Sequence, residues 1–304
     1  MSNWTEAQIP DQQGRRAVVT GANSGVGRVT ALELARHGAS VVLAVRNVAA
    51  GEQTAADIRR RVPGADVEVR RLDLASLDSV RAFATALTGP LDLLVNNAGV
   101  ALTGPRPALT ADGFDMQMGT NALGPYALTG LLLDRLTAGR QPRVVTVSSI
   151  VHRRRGLDLA DLNSEKSYHG PTAYSMSKLV ATILGLELDR RLRAAGSPVI
   201  SVLAHPGMTA TNLTPRALAD RTVFLRAVGR LSALLISRVE AGARPQLYAA
   251  TAIGVRGGQF FGPRGLQEIR GPVTEVRASA PAQDPDNGRR MWAEAAGLTG
   301  VRYL

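Results

Sequence analysis

Seven short runs rich in apolar β-branched residues recur along the chain: "RAVVT" 16–20, "SVVLAV" 40–45, "DVEVR" 66–70, "LDLLVN" 91–96, "RVVTVS" 143–148, "PVISVLA" 198–204 and "GQFF" 258–261. Amphipathic stretches near 25–37, 47–61, 76–87, 114–137, 172–195 and 239–252 separate them. Strands joined by helices pair in parallel, and right-handed crossovers lay those helices on both faces of one sheet. The fold class is therefore α/β, a doubly wound parallel sheet of about seven strands with helices on both faces. No Pro/Gly/Ser-rich linker and no repeat divides the chain, so residues 1–304 read as a single domain. Segment 205–238 interrupts the alternation and 263–304 follows the last strand. Elements that cover a substrate lie outside the carboxyl ends of such strands, which makes 205–238 the expected lid and 263–304 a C-terminal extension.

Absent residues exclude several chemistries. There is no cysteine, hence no disulfide, thiolate metal site or cysteine nucleophile, and no metal site is expected. The opening "MSNWTEAQIPDQQGRR" lacks a basic segment followed by an apolar one, and no stretch approaches the roughly 18 apolar residues of a membrane span. A cytoplasmic protein without a membrane span is expected. The net charge of +11 includes Arg clusters at 59–61, 153–155 and 190–193, but they are scattered and only 4% of residues are aromatic. Nucleic acid is not an expected partner; the clusters read as solvated faces.

"VVTGANSGVGRVTALELARHG" runs from the first strand into a helix. Gly21, Gly25 and Gly27 allow a tight turn and a close approach of backbone, with Asn23, Ser24 and Val26 between them, to a pyrophosphate held at the helix start. The spacing G-x-x-x-G-x-G departs from the standard dinucleotide fingerprint. At the end of the second strand an acid would bond a ribose 2′-hydroxyl, whereas an arginine accommodates a 2′-phosphate. No acid occurs between Glu33 and Glu52, and the strand runs out at Arg46. NADP(H) is favoured, with NAD(H) as the second choice. After the third strand, Asp73 and Leu74 stand where adenine should lie; Asp73 either bonds the adenine amine or caps the next helix.

Of 36 Lys and Arg residues only Lys166 and Lys178 are lysines, and Lys178 follows Tyr174 by four positions. On a helix the two share one face. A phenol titrates near 10, and a fixed cation beside it favours the phenolate, so the pair is a plausible acid/base device. Lysine offers a compact charge with rotatable donors where arginine offers a broad fork. Tyr168 has no such lysine.

With "LVNNAG" 94–99, "GTNALGPY" 119–126 and "VVTVSS" 144–149 in order around this pair, residues of about 10–262 resemble the short-chain dehydrogenase/reductase family. "IPDQQGRRAVVTGANSGVG", "HPGMTATNL", "GGQFFGPRG" and "MWAEAAGLTG" resemble its retinol-dehydrogenase-like branch. The resemblance implies a Rossmann-type sheet and a catalytic set in which Tyr174 is the acid/base. Lys178 would tune Tyr174 and hold the nicotinamide ribose, Ser149 would bond the reacting oxygen, and Asn121 would anchor a relay water. It implies that Asn96, Asn97 and Gly99 pack against the cofactor and brace the central strand, with Ala98 also among the cofactor contacts. Pro206 and Gly207 would form a turn where Met208 and Thr211 hold the carboxamide, Thr209 competing for the role. His205 reads as a turn histidine. If 114–137 is one helix, Pro125 cannot donate to the carbonyl of Asn121, which is then free for water. These readings converge on an oxidoreductase moving hydride to or from a small, hydrophobic carbonyl or alcohol substrate. The alternative is a non-catalytic sensor or scaffold of the same fold, although all four catalytic positions are filled. The helices at 114–137 and 172–195 are those through which the family pairs, as homodimer or homotetramer.

Overall fold

The computed structural model describes residues 4–208 and 239–304. One sheet organises them, with strands β1 (Arg16–Thr20), β2 (Ser40–Val45), β3 (Val67–Arg71), β4 (Leu93–Asn96), β5 (Arg143–Val147), β6 (Ile200–Ala204), β7 (Phe260–Pro263) and β8 (Val273–Glu275). The order is β3-β2-β1-β4-β5-β6-β7-β8, parallel through β7. β8 is an eighth strand that the sequence pattern did not signal, and it runs antiparallel to β7. Three residues directly after Gly271 and Pro272 are too few to show a period of two.

Both faces are covered because side chains alternate along each strand. On β1, Val18 joins the apolar layer formed with α3 (Leu77–Ala86), α5 (Gly124–Leu131) and α7 (Gly170–Ala194). Ala17 and Val19 face the opposite layer, which includes α1 (Gly25–Arg36), α2 (Val48–Arg61) and the helix α8 (Val239–Thr251). All seven strand runs and five of the six helical stretches keep their outlines within a few residues.

The exception is 114–137, which is not one helix. It is divided into α4 (Met116–Met118), a π-helical turn Gly119–Leu123, α5 and α6 (Leu133–Thr137). The Gly124 N–H reaches back five residues to the Gly119 carbonyl. Pro125 has no N–H, so it bonds neither Asn121 in an α register nor Thr120 in a π register. Gaps of this kind are where π turns form.

The extension beyond β7 carries β8, a short helix α9 (Ala280–Gln283) and α10 (Pro285–Thr299). Helix α10 packs on α7 and α5, on helices that the resemblance offered for pairing. There Tyr126, Trp292 and Tyr303 stack with ring centroids 4.8–5.0 Å apart, and Arg191 lies over Trp292 at 4.8 Å. Tyr126 Oη donates to the Val301 carbonyl at 3.2 Å and Tyr303 Oη to the Tyr126 carbonyl at 3.1 Å. Gly130 makes the approach possible, since any Cβ there would overlap the Tyr303 ring.

Gly-to-Ala inside a helix ordinarily stabilises by about 0.5–1 kcal/mol. Gly130→Ala should instead destabilise by about 1–3 kcal/mol. In a Tyr303→Ala background the same change should cost much less, giving a coupling that urea unfolding of the four proteins measures.

Candidate active site

Strand order reverses between β1 and β4, and the crevice above their carboxyl ends is a cavity of about 740 Å³. Segments following β1 through β6 all contribute to its wall, as a doubly wound sheet dictates. At one end is the glycine-rich turn. Gly21 has φ +66° and leaves only 3.0 Å between a would-be Cβ and Ala98, and Gly25 has φ +52°. At Gly27 a Cβ would meet the Gly21 carbonyl at 2.6 Å and overlap the Asn97 amide. Ser24 is the N-cap of α1 but makes no side-chain cap bond, so the first N–H groups of that helix lack a side-chain acceptor. Asn23, Ser24 and Val26 face the same space. This cradle fits the pyrophosphate of a dinucleotide.

The floor is held by Thr20. Its hydroxyl accepts from the N–H groups of Asn97 and Ala98 at 3.0 and 2.9 Å, while Asn97 Nδ2 donates to the Thr20 carbonyl at 2.8 Å. Gln246 on α8 also reaches Asn97 Oδ1, at 3.3 Å, a support no local motif announces. Asn96 points away and donates to Thr129 Oγ1 at 3.0 Å, bracing β4 against α5.

Arg46, directly after β2, is exposed, lines the cavity and forms no ion pair among the described residues. Asp73 and Leu74 line the same end. Of the two roles open to Asp73, helix capping belongs instead to Ser76, whose side chain accepts from the Ser79 N–H at 3.3 Å. Asp73 Oδ1 accepts from the Ala75 N–H at 3.0 Å, closing a local turn.

At the opposite end Tyr174 and Lys178 stand one turn apart on α7, and Ser149 follows β5. Tyr174 and Ser149 line the same cavity, and Ser149 Oγ accepts from the Val151 N–H at 3.4 Å. The neighbouring Ser148 turns the other way, 2.7 Å from Thr182 Oγ1, so the two serines are separated by geometry. Lys178 Nζ donates to the Val147 carbonyl at 2.9 Å. A Cβ at Gly99 would lie 3.1 Å from Asn121 Oδ1 and 3.3 Å from Lys178 Nζ, so glycine leaves these groups room. Asn121 itself sits behind the wall. Its side chain accepts from the Val100 N–H at 2.8 Å and donates to the Val100 carbonyl and Ser177 Oγ, each at 2.9 Å. Both amide hydrogens are used, so a water could be held only by an oxygen of this residue.

Burial pushes the Tyr174 phenol up, with the Ser149 side chain opposing the rise. Burial also lowers Lys178, to about 8.

Pro206, Gly207 and Met208 line the cavity beyond β6, whereas Thr209, Thr211 and most of the expected lid lie outside the described residues. Gly207 has φ +69°. His205 is more than a turn histidine: it is wholly buried and bonds Glu268 at 2.8 Å. Arg153 is exposed and pairs with the same carboxylate at 2.9 Å. Glu268 lies 63 residues from His205, and no local spacing could have disclosed it.

Comparison with known proteins agrees with this geometry. The sequence model of the short chain dehydrogenase family matches residues 15–222. Human retinol dehydrogenase 13 is 39% identical over 304 residues, covering 98% of this chain and 87% of that protein. Mouse polyprenol dehydrogenase is 42% identical over 300 residues, covering 96% and 86%. Among solved structures, an uncharacterized protein from Mycobacterium paratuberculosis superposes with a TM-score of 0.81 at 42% identity, covering all of both chains. Among the described residues no helix is long and apolar enough to cross a membrane. The chain belongs to the short-chain dehydrogenase/reductase family, in its retinol-dehydrogenase-like branch, and is an NAD(P)-linked oxidoreductase of alcohol and carbonyl groups.

Proposed function

We propose that the chain moves hydride between NADP(H) and the carbonyl or alcohol carbon of a small hydrophobic substrate, with Ser149, Tyr174, Lys178 and Asn121 as its acid/base relay. The observation that carries this reading is that Ser149, Tyr174 and Lys178 line the same cavity as the glycine-rich turn, with Tyr174 and Lys178 one helical turn apart. When bound, the cofactor supplies or accepts the hydride.

In the reductive direction a phenol held protonated by burial is the form required to give a proton to the substrate oxygen. Ser149 Oγ donates to that same oxygen and fixes its place beside Tyr174. Lys178, with a pKa near 8, is mostly charged at neutral pH yet able to exchange its proton. Water at the backbone opened by Pro125 and held near Asn121 resupplies it. Val100, Ala101 and Leu102 continue the wall beyond Gly99 and favour an apolar substrate. The unpaired, exposed guanidinium of Arg46 favours a 2′-phosphate, and NADP(H) over NAD(H).

Tyr174→Phe should lower turnover at least about 100-fold in an aldehyde and ketone screen, with NADPH binding unchanged by fluorescence titration. Arg46→Asp should weaken NADPH about tenfold or more relative to NADH, read as the ratio of the two KM values. As a third consequence, the rate of reduction should fall as pH rises through about 8, where Lys178 gives up its proton, recorded as kcat against pH.

A further inference from the structure

His205 follows β6, and its ring is 0% exposed. It lies against Phe260 at a centroid distance of 5.4 Å, in space that the missing side chain of Gly262 leaves open. Its Nδ1 accepts from the Gly207 N–H at 3.2 Å. The proton of the neutral ring is therefore on Nε2, which donates to Glu268 Oε2 at 2.8 Å. The same carboxylate takes the Arg153 guanidinium at two points, each 2.9 Å. Arg153 belongs to the 3-10 turn Ile150–Arg154, whose N-cap is Ser149. One residue earlier, His152 Nδ1 donates to the Ser149 carbonyl at 2.6 Å, and its Nε2 accepts from the Ser279 N–H at 3.1 Å. Finally, the Met208 N–H donates to the Ile269 carbonyl at 3.0 Å.

Apolar burial does not hold the tip of this β7–β8 connection. Its turn Leu266–Glu268 has no buried residue, and Leu266 is 87% exposed. Gln267 and Glu268 adopt φ of +51° and +57°, which residues with a Cβ rarely do. The contacts that the tip directs to the cavity edge are polar: the Glu268 carboxylate and the Ile269 carbonyl. Paired on two sides, that carboxyl is held down at about 2 and stays ionised.

We infer that Glu268 is a positioning residue: through His205 it sets the Pro206–Gly207–Met208 edge of the cavity, and through Arg153 it locks that edge to the segment carrying Ser149. The inference rests on the reading that this edge meets the nicotinamide half of the cofactor and Arg46 the adenosine half. A carboxylate outside the cavity then governs how one half of the ligand seats without touching it.

The test is a fluorescence titration of the full chain with NADPH, and a calorimetric titration with 2′,5′-ADP, which lacks the nicotinamide half. Glu268→Ala should weaken NADPH about tenfold or more and leave 2′,5′-ADP bound as in the parent. Glu268→Gln, which keeps an oxygen acceptor for His205 Nε2–H, should recover most of that loss. Unchanged NADPH binding in Glu268→Ala, with or without a lower Tm, overturns the assignment. So does an equal loss for both ligands, which would mark general damage, or a Gln variant no better than Ala. A parent chain that binds neither ligand would overturn the functional reading itself, and this inference with it.

Discussion

The Thr20 hydroxyl joins the ends of two strands that are distant in sequence. Accepting from Asn97 and Ala98, it fastens β4 to β1 at the point where strand order reverses. That bond fixes how near Asn97 comes to the turn below α1, and hence why Gly27 tolerates no side chain. Move β4 by one residue and the cradle for the phosphates and the wall near Lys178 would both be lost, because Gly99 follows Asn97 by two. The phosphate end and the chemical end are in this sense one construction, built on a side chain that reacts with nothing.

At the chemical end, desolvation prevails over attraction. Tyr174 rises and Lys178 falls to about 8, so burial shifts both groups toward their neutral forms, away from phenolate and ammonium. A guanidinium would remain charged throughout the working range and could only hold, never give. This accounts for a lysine here in a chain that otherwise writes arginine almost everywhere.

How much of this the sequence carried depends on how local each signal was. β1 and β2 were legible to the residue because both faces of an interior parallel strand are apolar, leaving a run with sharp edges. The glycines, Tyr174 and Lys178 stood out by their spacing and Ser149 by the family resemblance, and all of them line one cavity. The π turn at Gly119–Leu123 was not, since its apolar pattern passes for one helix; only Pro125 hinted at the break. Asp73 had two local roles open, and Ser76, three residues on, takes the capping one. Gln246 and Glu268 had no signature at all: each acts on a group far along the chain, and composition offered only one more polar residue on a helix or loop.

The aromatic seam between α5 and the extension bears on how the molecule comes into being. Tyr126 and Tyr303, whose rings pack together and of which the second bonds the backbone of the first, are 177 positions apart. At a synthesis pace of about 5–20 residues per second, Tyr126 waits roughly 9–35 seconds for its partner to be made. Until then the greasy flank of α5 and α7 is bare on the nascent chain, and a chaperone or a neighbouring polypeptide is free to hold it.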